Sequence, residues 1–143
     1  MIKALIDTNV IIDLFLRRKP FYKNAETIFR KINDQKVEGY ISASAVTDIF
    51  YLLQKAKGNL DATNYILKLL QIIEVLGIDK QTIINALLLN WTDFEDAVQT
   101  QVALENEMDV IITRNTKDFK KMKKIKVLTP KEFIAEEENH NKK

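Results

Sequence analysis

The strongest constraint in this chain is an apolar run near its start that stops abruptly in polar residues. Ile2, Ala4, Leu5 and Ile6 make a stretch long enough for a buried strand and too short for a helix. Asp7, Thr8 and Asn9 follow at once, placing a carboxylate, a hydroxyl and an amide at the strand's carboxyl end. In open α/β sheets, ligands bind in the crevice outside the carboxyl ends of the strands. Asp7 or Thr8 could equally cap a helix beginning near Val10. Both readings stand on this stretch alone, and the recurrence of acidic residues further along weighs between them.

The rest of the chain alternates short apolar runs with amphipathic segments. Val10–Leu16 reads as a short helix, broken before Pro20, and a second helix from Phe21 to about Lys36 carries Ala25, Ile28, Phe29 and Ile32. Gly39-Tyr40-Ile41 is a short strand. Ser42 and Ser44 can cap a helix whose stripe is Val46, Ile49, Phe50 and Leu53, ending at Gly58. Asp61 is read as the cap of the next helix, and Ile73–Leu76 as a third strand. Asp79 opens a helix running to Asn90, and Thr92 with Glu95 has the spacing of a capping box before the following one. Asp109–Thr113 is another buried strand ending in polar residues, and Lys126–Leu128 is the last. Thr129, Pro130 and Glu132 form a further helix-start signal. Alternating strands and helices predict an α/β fold with a mainly parallel central sheet of about five strands.

Composition removes several kinds of chemistry. With no cysteine among 143 residues, there can be no disulfide, thiolate metal site or cysteine nucleophile, which suits a reducing cytoplasm. The one histidine, His140, lies in a polar tail over residues 136–143, so histidine triads and histidine-rich zinc sites are excluded. No apolar run approaches the length of a membrane span, and Lys3 and Asp7 interrupt any signal-peptide core. The length fits one domain, taken as residues 1–135 ahead of that tail.

What remains is carboxylate chemistry. Asp7 follows the first strand, Asp48 and Asp96 sit in early helix turns, and Asp118 lies beyond Thr113, with Asp93 and Asn115 beside them. In a parallel sheet these positions share one edge. Carboxylates gathered there raise one another's pKa unless a cation compensates, and oxygen ligands suit Mg²⁺ or Mn²⁺. The chemistry that follows is metal-dependent phosphodiester hydrolysis. The competing assignments are helix caps for Asp93, Asp96 and Asp118, and a solvated helix position for Asp48. Asp13, Asp34, Asp61 and Asp79 read as ordinary surface or capping residues.

Four segments in order carry a family resemblance: Leu5-Ile6-Asp7-Thr8-Asn9-Val10, Ile41-Ser42-Ala43-Ser44, Asp93-Phe94-Glu95-Asp96-Ala97, and Ile112-Thr113-Arg114-Asn115-Thr116-Lys117-Asp118-Phe119. Together they resemble the PIN-domain family, and within it the VapC-type ribonucleases of bacterial toxin–antitoxin pairs. The resemblance runs from about Met1 to Phe133. It implies a three-layer α/β/α fold and a metal-dependent endoribonuclease leaving 5′-phosphate and 3′-hydroxyl ends. By position, Asp7 and Asp96 match the metal-binding aspartates. Asp118 or Asn115 matches the fourth polar position, and Thr113 the supporting hydroxyl. Asn9 and Asn115 would help fix carboxylates and waters. The second acidic position is commonly glutamate in this family, whereas the candidate here is Asp48, one methylene shorter.

An acidic pocket needs cations nearby to accept RNA. Arg17 and Arg18 form one basic group, and Lys117, Lys120 and Lys121 with Arg114 form another beside Asp118. A toxin of this kind implies a cognate antitoxin, and a homodimer is also expected. The apolar segment Ile83–Leu89 could support either contact, although core is the plainer reading for most of it. The alternative function is a PIN-fold module that binds RNA or a protein without cleaving.

Overall fold

The computed structural model describes residues 1–119 and 124–141. Its elements are β1 (Ile2–Ile6), α1 (Thr8–Phe15), α2 (Tyr22–Asn33), β2 (Val37–Ser42), α3 (Ala43–Lys57) and α4 (Asn59–Leu69), followed by β3 (Glu74–Leu76) and α5 (Lys80–Leu88). Then come α6 (Phe94–Glu105), β4 (Val110–Ile112), a 3-10 turn (Thr116–Phe119), β5 (Lys126–Leu128) and α7 (Pro130–Asn141).

The sheet order is β3-β2-β1-β4-β5, and every pairing is parallel. The chain therefore grows outward from β1 through β2 to β3, then returns to the other side of β1 to add β4 and β5. That reversal makes the gap between the ends of β1 and β4 a topological switch point, where open α/β sheets place their ligands. Register fixes the two ends side by side. Ile6 pairs with Ile112, and the Asp7 amide donates to the Ile112 carbonyl at 2.9 Å.

Alternation along the central strands explains the three layers. Ala4, Ile6, Val110 and Ile112 pack with α1, α2, α3, α4 and α7 on one face. Leu5 and Ile111 point the other way, toward Ala103 of α6, Met108, Phe119 and Ile125. Strands buried on both faces read as continuous apolar runs, which is why these stand out in the sequence. Gly39 of β2 is needed for the close approach of α2: a Cβ there would lie 2.6 Å from Ile32 Cδ1.

Several local expectations shift. Helix α4 starts at Asn59 after Gly58, whose φ of 89° turns the chain, so Asp61 sits in the first turn and is not the cap. Asp93, not Thr92, caps α6, accepting the Asp96 amide at 3.1 Å. The helix starts one residue later than anticipated, so Asp93 takes the cap position in place of the Thr92–Glu95 box. The Thr129–Glu132 box does form, with reciprocal bonds of 2.9 and 3.1 Å. Asp79 caps α5, and the Thr82 hydrogen bonds hold its carboxyl below the usual range. Residues 136–141, read above as part of a polar tail, continue helix α7, where Glu137 is buried and takes Lys31 of α2 at 2.6 Å. Ile83, Ile84, Leu87 and Leu88 are exposed, so the plainer core reading fails for that segment of α5. Lys120 and Lys121 lie outside the described residues.

The Gly39 contact gives a stability prediction. Gly39→Ala should lower the unfolding free energy by about 1–3 kcal/mol, since Ile32 must shift to admit the methyl group. Ile32→Val in the same chain should recover part of that loss, read as a positive coupling in urea unfolding.

Candidate functional site

Asp7 begins at the end of a fully buried strand, is itself 7% exposed, and must have its charge satisfied there. Four donors converge on it. Oδ1 accepts the Thr8 amide at 2.8 Å and Gln99 Nε2 at 2.9 Å. Oδ2 accepts Asn9 Nδ2 at 3.2 Å and the Thr113 hydroxyl at 2.7 Å. Capping and site-building are thus one arrangement, since Asp7 is also the cap of α1.

Counting hydrogen bonds fixes the direction of the Thr113 proton. Thr113 Oγ1 accepts from the Asn115 amide at 3.0 Å and from Asn9 Nδ2 at 3.3 Å. A hydroxyl has two lone pairs and one proton, so the proton goes to Asp7. Asn9 is oriented in the same way, because its Oδ1 accepts the Arg114 amide at 3.2 Å and its Nδ2 must face Asp7.

Around this centre opens a cavity of about 490 Å³. Its lining includes Asp7, Asp48, Asp93, Glu95, Asp96 and Asp118, together with Asn9, Gln99 and Asn115. Asp7, Asp48, Asp96 and Asp118, picked from the sequence, are therefore gathered in one place by β1, α3, α6 and the 3-10 turn. Thr113 lies fully buried beneath. Arg18 is the one cation among the described lining residues.

The excess of carboxylates has an electrostatic result. Burial, then repulsion from Asp93, Asp7 and Asp118, pushes the Asp96 carboxyl up to about 7. Glu95 also rises to about 7, first through a hydrogen bond shared with the Asp48 carboxyl, then through burial and the neighbouring charges. Asp96 Oδ2 and Gln99 Oε1 are buried without a hydrogen-bond partner among the described residues. A partnerless buried carboxylate oxygen in a cation-poor, all-oxygen cluster fits a hard divalent ion. No three acidic or histidine side chains among the described residues already form a metal cage.

Glu95 and Gln99 were missed by sequence reasoning. Glu95 sits between two aspartates already picked, so it looked like helix-cap chemistry. Gln99 stands three residues after Asp96, the spacing that shares a helix face, and that was the available signal. The basic residues divide differently from expectation. Arg18 lines the cavity, whereas Lys117 is exposed on the 3-10 turn. Arg17, also exposed, follows α1 with a φ of 50°. Arg114 is committed inward: its guanidinium bonds both oxygens of Asp13 and covers the Phe21 ring at 4.1 Å. Asp13, taken as a surface residue, is 1% exposed, because Arg114 neutralises it inside the fold. His140 belongs to a groove with Ile2 and Asp109, at the opposite edge of the sheet.

The PIN domain family model matches residues 3–117. The chain belongs to the PIN-domain family. Among relatives of this PIN domain, Ribonuclease VapC1 of Aquifex aeolicus is 29% identical over 136 residues, covering 92% of each chain. DNA-bound VapBC from Salmonella typhimurium has a similar fold, with a TM-score of 0.72, 19% identity, and coverage of 91% of this chain and 99% of that one. A toxin–antitoxin complex from Klebsiella pneumoniae gives a TM-score of 0.67 at 23% identity, covering 89% of this chain and 97% of that one.

The raised carboxyls predict how stability of the metal-free PIN domain responds to pH. Asp96 and Glu95 keep their protons up to about pH 7 when folded, but release them near the ordinary values of 3.8 and 4.5 when unfolded. The folded state therefore binds more protons between those limits, and stability falls as pH rises through them. In EDTA, the urea midpoint should be lower at about pH 8 than at about pH 5, and Asp96→Asn should flatten the decline.

Proposed function

We propose that this PIN domain is a metal-dependent endoribonuclease and the toxin of a toxin–antitoxin pair. The observation that carries the reading is Asp96, which lines a cavity with five other acidic side chains and whose Oδ2 is buried with no hydrogen-bond partner among the described residues, beside a fully hydrogen-bonded Asp7. The name of the Aquifex aeolicus relative, a ribonuclease, and the toxin–antitoxin complexes among similar folds support the substrate and the setting. The absence of cysteine supports a reducing, cytoplasmic environment.

Asp7 and Asp96 would hold Mg²⁺ or Mn²⁺. With no ready-made cage of three ligands among the described residues, most of its shell would be water, the usual state of Mg²⁺ in proteins. Bound there, the ion would stabilise charge on the phosphodiester and favour ionisation of a water. Asp7 is fixed in orientation by hydrogen bonds from Thr8, Asn9, Gln99 and Thr113. Asp96, pushed up to about 7, would release its proton to solvent on holding a cation, and more readily at higher pH. Asp48 and Glu95, close enough to share a proton, would accept one from the attacking water and pass it to the leaving oxygen. Glu95 so supplies reach that the short Asp48 lacks. Asp118 and Asn115 would orient water at the cavity edge. Arg18, with Lys117 and the lysines beyond it, would counter the repulsion between RNA phosphates and the pocket.

The exposed Ile83, Ile84, Leu87 and Leu88 of α5 give an apolar surface suited to an antitoxin or to a second copy of this chain.

Cleavage of a panel of structured and single-stranded RNAs, with Mg²⁺, Mn²⁺ or EDTA, tests the activity. Wild type should cut only with metal, and Asp7→Asn and Asp96→Asn should each lose at least about 100-fold in rate. Equal behaviour of variants and wild type would instead favour a binding module. Arg18→Ala should raise KM by about threefold to tenfold with little change in kcat, and the defect should shrink at high salt.

A further inference from the structure

One helical turn beyond Asn9, and outside the cavity lining, α1 buries a second carboxylate. Asp13 is 1% exposed, and both its oxygens accept from the Arg114 guanidinium, Oδ2 from Nε and Oδ1 from Nη2 at 3.2 Å. The other surface of that guanidinium rests on Phe21, 4.1 Å from the ring centroid. The same residue donates its backbone amide to Asn9 Oδ1 at 3.2 Å. Asn9 and Asp13 are four residues apart and share one face of α1. Arg114 thus grips the helix at two successive turns, through its main chain at Asn9 and its side chain at Asp13.

The chain of bonds leads to the reactive centre. With Asn9 Oδ1 engaged by Arg114, Nδ2 is turned to Asp7 Oδ2 and Thr113 Oγ1. Thr113 immediately precedes Arg114, so any movement of the β4 end against α1 displaces two of the four donors on Asp7. The carbonyl of Asp13 also accepts the Arg18 amide at 3.1 Å, tying in the loop that brings Arg18 to the cavity.

We propose that Asp13 and Arg114 are positioning residues of the nuclease site, clamping α1 to the end of β4 so that Asn9 and Thr113 hold Asp7 oriented for a cation. The consequence for catalysis rests on the ribonuclease reading above; the consequence for Asn9 does not. Neither residue touches the cavity, so they act through Asn9, Thr113 and the Arg18 loop. Supporting groups of this kind change metal affinity or activity by about 10- to 100-fold.

A plain structural role predicts otherwise, because a buried ion pair can often be exchanged for apolar side chains without loss of stability. The double substitution Asp13→Leu/Arg114→Met separates the two. Three quantities would be compared with wild type: exchange protection of the Asn9 side-chain amide in metal-free protein, assigned from its loss in Asn9→Ala; affinity for Mn²⁺ alone by calorimetry; and kcat with KM on single-stranded RNA. The double variant should fold cooperatively, exchange its Asn9 amide at least about tenfold faster, bind Mn²⁺ about tenfold more weakly, and lose kcat about 10- to 100-fold with KM little changed. A folded double variant with wild-type Asn9 protection, Mn²⁺ affinity and kcat would overturn the proposal. Should that variant not fold, Arg114→Lys decides, since it keeps the charge but loses the two-pronged contact and the ring stacking. It should move the same quantities in the same direction by about threefold or more, and wild-type values would overturn the proposal. Wild-type protein that cleaves no RNA would defeat the ribonuclease reading, while the Asn9 exchange comparison would still decide this one.

Discussion

A carboxylate placed at the end of the central strand of a parallel sheet must be stabilised, and much of this structure follows from how that is done. Asp7 is nearly buried and receives four hydrogen bonds, two from its own helix start and two from residues 92 and 106 positions away. Those distant donors can reach it only if β4 lies beside β1 in the observed register and α6 crosses the opposite face. Sheet order, helix placement and site geometry are consequently one solution to one electrostatic demand.

The cavity shows the opposite policy. Where Asp7 is saturated with donors, Asp96 Oδ2 has no partner among the described residues, and the Asp48 carboxyl beside Glu95 helps push Glu95 up to about 7. Burying unsatisfied carboxyls is unfavourable for folding, and among the other described residues the buried acids are paired: Asp13 has Arg114 and Glu137 has Lys31. The contrast between compensated acids in the frame and uncompensated acids in the cavity separates scaffold from site more clearly than position in the fold.

Much of this was legible in the sequence because the signals are local. Apolar runs ending in Asp7 and in Thr113 marked the two strands that flank the switch point, and helix spacing put Asp96 near them. What the sequence concealed depends on contacts between distant segments. Asp13 looks like a solvated helix residue until Arg114, some hundred positions on, turns inward to meet it. Arg114 in turn looks like an RNA contact, since nothing local reveals that its charge is already used. Glu95 was hidden by its neighbours, as three acids in four residues at a helix start resemble capping. The α5 segment misled in the other direction: its apolar side chains signal burial, and packing chiefly against α6 leaves Ile83, Ile84, Leu87 and Leu88 exposed.

The strand order also bears on when, during synthesis, the proposed activity could first arise. β4 is inserted beside β1 only after the chain has travelled out through β2 and β3 and back. Until then Asp7 lacks the Thr113 hydroxyl, and Asp118 has not been synthesised. A nascent chain emerging from a ribosome can shape its first half, but it carries an incomplete centre throughout. Assembly of the reactive pocket waits until residue 118 has been added and has left the ribosome, itself built of the class of molecule that the proposed activity would attack.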